Sequence, residues 1–203
     1  SSIRLRRGTL STNGWNVTAS TFDANGTTTP PASGNRTLNL GSSVMTLTST
    51  GAGLYTWNTF GITGATGIFT LNAGTSHIRF TGAGAGLCVG APSSSALAFN
   101  RVSFLATTGT SQVDYNGGGG NSCSFKTLSF ASNGIIYNNH YFSDTLKFSP
   151  AYSYLLQAGG TQSFSATGVL DATGTCNSFI AIGSTASGTQ AVISKPSDSI
   201  NVN

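Results

Sequence analysis

Few side chains of this 203-residue chain could perform acid–base chemistry, because it contains five aspartates and no glutamate. Hydrolysis of a glycosidic bond needs two carboxyl groups at one site, and a Ca²⁺-assisted lyase needs several acidic oxygens around the cation. Asp144 and Asp171 lie two and one residues from Leu146 and Leu170, which occupy related points of a repeat. Both aspartates flank predicted turns, where aspartate commonly shapes the backbone. We therefore assign no catalytic residue and expect no enzymatic activity.

The two histidines are not placed as metal ligands. Neither His77 nor His140 has a cysteine or a carboxylate at metal-ligand spacing. His77 belongs to an alternating stretch in which it shares the outward face with Arg79, while Ile78 and Phe80 face inward. The sequence therefore predicts no metal site and no cofactor.

The stretch YNNHYF, which begins at Tyr137, is the part of the chain densest in aromatic and polar side chains. Rings offer apolar faces, and asparagine supplies hydrogen-bond donors and acceptors, so the stretch suits a shallow sugar-binding patch. The candidate binding residues are Tyr137, Asn138, Asn139, His140 and Tyr141. The alternative interpretation is a loop between structural repeats whose rings pack on the stack.

The three cysteines do not form a disulfide framework. Cys123 and Cys176 both lie in turn-like contexts, and Cys88 is expected to be a small core residue. If two stacked repeats separate Cys123 from Cys176, their spacing is about 9.6 Å, beyond the limit of about 7 Å for a bridge. Free or buried thiols are favoured, and a Cys123–Cys176 disulfide remains the alternative.

Charged residues make up only 7% of the chain, whereas about 25% is ordinary. Hydrophobic residues reach 38%, so the chain can form a core. The net charge of +4 is scattered apart from Arg4, Arg6 and Arg7, which argues against nucleic-acid binding. No apolar run approaches the roughly 20 residues that span a bilayer, so membrane insertion is not expected. Low charge with abundant serine, threonine, glycine and asparagine is typical of extracellular and cell-surface proteins.

One sequence unit returns along the chain at variable distance. TLNLGS, from Thr37, and TLNAGT, from Thr70, are 33 residues apart, and TLSTNG begins upstream at Thr9. Later units centre on Val102, Leu128, Leu146 and Leu170, at steps of 26, 18 and 24 residues. The apolar residues alternate and glycine recurs, so short strands are predicted and helices are nearly excluded.

A loose repeat of strand units predicts a parallel β-solenoid, because each coil must stack on a similar coil to bury its apolar side. Leu38 is expected near Leu71, and Leu128 near Leu146. Six to seven irregular coils would form a rod about 30 Å long. A β-sandwich is the alternative, since Asn13-Gly14, Asn25-Gly26 and Asn133-Gly134 are candidate hairpin turns. The predicted fold class is an all-β parallel solenoid.

The runs RTLNLGSS, FTLNAGTSHIRFTGAG and LAFNRVSF, together with the long run from Leu146 to Lys195, resemble repeats of very large secreted surface proteins of Bacteroidota. The resemblance extends from about Gly8 to Lys195. It implies a right-handed parallel β-helix, adhesion-type modules and export by the type IX secretion system. It implies no particular reaction, because most of these proteins have no assigned activity.

Residues 1–203 are expected to form one solenoid segment of a longer chain, because neither end resembles an amphipathic capping helix. The predicted function is a non-enzymatic structural or adhesive segment, a stiff stalk with a face for surface glycans or another cell-surface protein. Adjoining coils or domains of the parent chain are further expected partners. Two alternatives stay open: a fragment of a carbohydrate-active β-helix enzyme, and an ice-binding solenoid based on Thr46, Thr48 and Thr50.

Overall fold

A computed structural model describes residues 1–24, 34–50, 56–59, 67–89, 97–114 and 122–196. The strands of the first half are β1 (Ser2–Arg4), β2 (Gly8–Ser11), β3 (Val17–Ala19), β4 (Thr21–Asp23), β5 (Arg36–Asn39), β6 (Val44–Leu47), β7 (Trp57–Asn58), β8 (Phe69–Asn72), β9 (His77–Phe80) and β10 (Gly86–Cys88). The strands of the second half are β11 (Ala98–Phe104), β12 (Thr110–Val113), β13 (Ser124–Phe130), β14 (Asn133–Ile136), β15 (His140–Phe148), β16 (Ser153–Leu156), β17 (Thr161–Phe164), β18 (Val169–Asp171), β19 (Ala181–Ser184) and β20 (Val192–Ser194).

The described residues contain strands and no helix, so the fold is all-β as predicted. In this part of the chain there is accordingly no helix that could span a membrane. Short β-branched and aromatic stretches bounded by glycine, serine and asparagine favour strands over helices.

The strands form three sheets with parallel pairing. Sheet A has the order β1-β4-β7-β10-β12-β14-β16-β19, and sheet B has the order β2-β5-β8. Sheet C has the order β3-β6-β9-β11-β13-β15-β17-β20, with β18 also paired to β15. The chain therefore returns to sheet A and then to sheet C in a repeating cycle.

The register of the sheets confirms the predicted stacking of the repeats. Leu38 lies opposite both Leu10 and Leu71 in sheet B. Leu128 lies opposite Leu146 in sheet C. Equivalent residues of successive repeats are therefore direct neighbours across one strand spacing, about 4.8 Å.

The candidate hairpin turns do not produce hairpins in the described residues. Asn13 and Gly14 have φ of 51° and 82°, but the strands on either side of them, β2 and β3, belong to different sheets. Asn133-Gly134 begins strand β14 rather than forming a turn. Asn25-Gly26 lies outside the described residues. The Asn13-Gly14 turn instead redirects the chain from one sheet to the next, because strands that pair in parallel cannot be joined by a tight hairpin.

Two columns of phenylalanine run through the core on the inward side of sheet C. They are Phe80, Phe104, Phe130 and Phe148, and Phe99, Phe125, Phe142 and Phe164. Neighbouring ring centroids in these columns lie 4.6 to 6.0 Å apart. Such spacings allow offset stacking, so the columns add specific aromatic contacts to the burial of apolar surface.

The three cysteines, all of which the structure describes, form no disulfide with one another. Cys88 and Cys123 are buried, and Cys176 is exposed. The free or buried thiols favoured by the sequence are thus confirmed, and the alternative Cys123–Cys176 bridge is not formed. Cys123 directly precedes β13 and faces the core instead of lying in an exposed turn.

We expect Phe130→Ala to lower the free energy of unfolding by about 3–5 kcal/mol, because it removes the ring between Phe104 and Phe148 and leaves a cavity. Chemical denaturation measures this change. Phe179→Ala is the matched control, since Phe179 is 74% exposed and its removal should change stability by less than about 0.5 kcal/mol. Equal losses in the two variants would contradict the stacked core.

Candidate functional site

The structure does not bring the five predicted binding residues onto one surface. Tyr137 and Asn138 are half-buried, Asn139 is exposed, His140 is buried and Tyr141 is exposed. The stretch crosses from the end of sheet A into strand β15, and alternation within β15 sends His140 inward and Tyr141 outward. Only Asn139 and Tyr141 are exposed enough to contact a sugar at the surface. Sugar binding by this group of residues stays a prediction.

Asn138 and Asn139 hold neighbouring turns together. The Asn138 side chain donates to the Asp114 carboxylate, and its backbone N–H donates to the side-chain oxygen of Gln157. Asn139 Oδ1 accepts from the Thr161 N–H at 2.6 Å. Asn138 has φ of 59°, a left-handed conformation that asparagine tolerates better than most residues. These contacts make both asparagines structural.

His140 is a core residue. Its Nδ1 accepts a hydrogen bond from the Cys123 backbone N–H at 3.1 Å, and its ring meets the Phe125 ring edge-on. Burial lowers the pKa of His140 to about 4, so the imidazole is neutral at physiological pH. His140 therefore contributes packing and a buried hydrogen bond, and it is out of reach of a ligand on the outer surface.

Tyr141 presents its ring to solvent, and its side chain is 43% exposed. In the outward column of sheet C it lies between Ser124 on β13 and Ser163 on β17, and Ala98 precedes Ser124 on β11. Serine and alanine are too short to cover an aromatic ring. The outward column therefore combines three small residues with one tyrosine. One face of the Tyr141 ring stays open, and the small residues form a shallow floor beside it.

A groove of about 610 Å³ lies over this floor, where sheet B meets sheet C. One side is formed by the end of β8 and the turn at Ala73 and Gly74, and the other side is formed by Tyr141 and Ser143. Lys126 and Asn100 also line it. An exposed ring, amide and hydroxyl groups and one cation along a shallow groove can bind a polar ligand that also has apolar faces.

The turn that forms one side is fixed by the fold. Gly74 has φ of 58° and stacks on Gly41, which has φ of 57° at the corresponding point of the preceding repeat. A Cβ at Gly74 would collide with the Gly41 carbonyl oxygen. The Thr75 N–H donates to this same oxygen at 2.8 Å. The turn is therefore preorganised, and so is this side of the groove.

A scan against protein-family models, a search of curated proteins and a search of solved structures found no match to this chain.

Two polar residues of the groove differ in how their side chains are held. The Asn100 Nδ2 donates to the Ser76 backbone oxygen at 2.9 Å, which holds the amide in place. Lys126 is exposed on β13, and the part of the chain that the structure describes gives it no ion pair. Asn100 thus supplies a fixed polar group, and Lys126 supplies an adaptable charge.

The two aspartates considered for catalysis do not form a pair. Asp171 lies opposite Lys147 in the register of β18 and β15 and forms an ion pair with it at 2.5 Å. Asp144 lies three residues before Lys147 and accepts from the Thr145 hydroxyl at 3.1 Å. Asp144 therefore lies about 10 Å along β15 from Lys147, the residue that Asp171 faces. This arrangement offers no acid and base facing one substrate atom.

The remaining aspartates occupy separate places. Asp23 pairs with Arg6 at 3.1 Å, Asp114 is buried, and Asp198 lies outside the described residues. Among the residues that the structure describes, no three His, Cys, Asp or Glu side chains gather as metal ligands.

Asp114 is a buried carboxyl group with a shifted pKa. Burial raises its pKa to about 7, against the opposing effects of hydrogen bonds from the Asn138 side chain and the Val89 backbone. Its φ of 58° also places it in the left-handed region. Asp114 directly follows strand β12, and its contact with Asn138 joins it to the corresponding bend of the next repeat.

The sequence contained a signal for the groove that the prediction missed. The three-residue units AFN, SFK and YFS align Phe99, Phe125 and Phe142 in one inward column. The residues before these phenylalanines face outward: Ala98 and Ser124 form the floor, and Tyr141 supplies the ring. Lys126 follows Phe125. Aligning these units, rather than choosing the most aromatic stretch, would have found the groove.

The Asp114→Asn variant should lose a pH dependence of stability. The pKa of Asp114 is raised in the folded state, so the wild-type protein loses stability as pH rises from about 4, the unfolded pKa, to about 7. The loss is on the order of 4 kcal/mol at about 1.36 kcal/mol per pKa unit. The asparagine variant keeps the acceptor oxygen and tolerates the left-handed backbone.

Chemical denaturation gives the free energy of unfolding of the variant and of the wild type at pH 4 and at pH 8. The effect is the amount by which the difference between the two proteins changes between these pH values. Asp144→Asn is the control, because it removes an exposed carboxylate and leaves the buried Asp114 in place. Parallel pH profiles for wild type and Asp114→Asn would contradict the burial of an ionisable Asp114.

Proposed function

We propose that the chain is a segment of a right-handed parallel β-solenoid that serves as a non-enzymatic, adhesive stalk and binds glycans in the groove beside Tyr141. The repeating return to sheets A and C supports the solenoid, since the eight strands of sheet A delimit seven cycles of the chain. Parallel strand connections within one sheet are right-handed in about 98% of cases, which supports the handedness.

The single observation that carries glycan binding is the open ring face of Tyr141 above a floor of small residues. A pyranose ring has an apolar face that can lie against an aromatic ring, and its hydroxyl groups need donors and acceptors at the edge. Asn100, Ser124 and Ser143 offer such groups along the same groove. Parallel strands hold these side chains at fixed spacing, which lowers the cost of ordering them on binding.

The cellular context is part of the same proposal. Low charge and the resemblance to Bacteroidota surface repeats support an extracellular or cell-surface location, export by the type IX route and an adhesin-like parent chain. Stacked coils form a stiff element, because each contacts its neighbours along a continuous core. Surface glycans, another cell-surface protein and adjoining parts of the parent chain are the proposed partners.

The separation of Asp144 from Asp171 is the observation that favours binding over a carbohydrate-active enzyme. The ion pair with Lys147 further occupies Asp171. A groove without paired carboxyl groups can hold a sugar but does not provide an acid and a base for its hydrolysis.

Ice binding is the second candidate, and one observation favours it. Thr9, Thr37 and Thr70 form a column on sheet B beside the column of Ser11, Asn39 and Asn72. This ordered polar array covers only three strands. On sheet C the column of Thr18 and Thr46 is interrupted by Arg79.

We expect no thermal hysteresis in a nanolitre osmometer, because neither threonine array is extended. A measurable hysteresis gap that disappears in Thr37→Val would favour ice binding over the glycan proposal.

For glycan binding, we expect Tyr141→Ala to weaken affinity about tenfold, which corresponds to about 1.4 kcal/mol, because the ring face is lost. A glycan array identifies the ligand, and isothermal titration calorimetry measures its affinity. Trp15→Ala is the control, since Trp15 is 77% exposed but does not line the groove. Glycan binding that is lost in Trp15→Ala and unchanged in Tyr141→Ala would contradict the assignment of the groove.

A further inference from the structure

Basic side chains are concentrated on the outward face of sheet C beside the groove. Arg79, Arg101, Lys126 and Lys147 lie on the consecutive strands β9, β11, β13 and β15. They are four of the nine lysines and arginines of the chain. In a chain with so few charges, this clustering gives one face a distinct positive potential.

Acidic side chains neutralise only part of this face. Lys147 is paired with Asp171 at 2.5 Å. The other ion pair between described residues joins Arg6 to Asp23, away from these strands. Lys126 and Arg101 are exposed and have no ion pair in the described part of the chain. Two cations are therefore available to an anion from solvent.

One of these two cations lines the groove, and the other directly follows Asn100, a residue that lines it. Lys126 lines it, and Arg101 lies opposite Thr127, the residue that follows Lys126. Adjacent strands are about 4.8 Å apart, so one anionic group can approach both side chains. The neighbouring His77 agrees with a positive environment, because its pKa is lowered to about 4 by burial and then by Arg101 and Arg79.

In the described part of the chain, Asp144 is the acidic residue that the strand register places beside Lys126. The register of β13 and β15 shifts after Phe125, so that Lys126 faces the two residues Ser143 and Asp144. The Asp144 carboxylate accepts from the Thr145 hydroxyl at 3.1 Å. It reduces the positive potential at Lys126 without forming an ion pair with it.

We propose that the ligand of the groove is an acidic glycan whose carboxylate or sulfate contacts Lys126 and Arg101 while a sugar ring lies on Tyr141. This inference rests on the proposed glycan-binding function and specifies its ligand class. Arginine can bind a planar oxyanion with two parallel hydrogen bonds, and lysine adds a mobile point charge. Charge-assisted hydrogen bonds are about twice as strong as neutral ones, so the anionic group distinguishes the ligand from neutral sugars.

The test uses the full chain and matched pairs of immobilised oligosaccharides. One pair is oligogalacturonate and its methyl ester, which differ in the carboxylate charge. The other pair is a heparin-type sulfated oligosaccharide and its desulfated form. We expect the acidic member of at least one pair to bind at least about tenfold more tightly than its neutral partner, and the pair that responds identifies carboxylate or sulfate.

Charge variants test the position of the anion. Lys126→Gln and Arg101→Gln should each weaken binding of the acidic glycan about tenfold, whereas Asp144→Asn should strengthen it about two- to threefold. Arg4→Gln is the matched control, because Arg4 is exposed on sheet A. Raising the salt concentration should reduce the preference for the acidic glycan, since salt screens exposed charges.

The outcomes separate the two proposals. Equal binding of acidic and neutral members, still lost in Tyr141→Ala, would overturn the acidic ligand and leave glycan binding intact. Acidic binding that falls in Arg4→Gln and not in Lys126→Gln or Arg101→Gln would overturn the assigned site. Absence of binding to both pairs would overturn the acidic-glycan inference. In that case, binding of a neutral glycan on the array that depends on Tyr141 would leave the proposed function intact. If no glycan on the array bound, the proposed function would be overturned as well.

Discussion

The structure depends on parallel register between successive repeats. Because residues such as Leu38 and Leu71 are direct neighbours, each inward position must carry a side chain that packs against those above and below it. The phenylalanine columns meet this requirement in sheet C, where stacked rings replace the varied packing of an ordinary core. The outward positions are free of this demand, and they can carry function without disturbing the core.

The groove arises where the outward column is least regular. Tyr141 stands between short side chains, and the turn at Gly74 forms the facing side. Both features are set by backbone geometry that the stacked core keeps in place. A rigid frame with a shallow, polar and partly basic groove is the geometry on which the proposed ligand binding rests.

Sequence reasoning predicted the repeat well, because alternation and the similar TLN units report directly on inward and outward positions. It predicted the binding residues less well, because the class of a residue does not tell which side of a strand it faces. His140 and Tyr141 are adjacent and similar in chemistry, yet one is buried and the other is exposed. The neighbours of Lys126 on β15 were also hidden, since a shift of register places it beside both Ser143 and Asp144, and no local pattern marks that shift.

A crystal structure of this segment tests the central claim, the stacking of repeats in parallel register, most directly. We expect the centroid of the Phe104 ring to lie 4.6 Å from that of Phe80 and 4.9 Å from that of Phe130, with the three strands parallel. Antiparallel hairpins joining neighbouring strands, with these three rings in different layers, would contradict the register and the groove that is built on it.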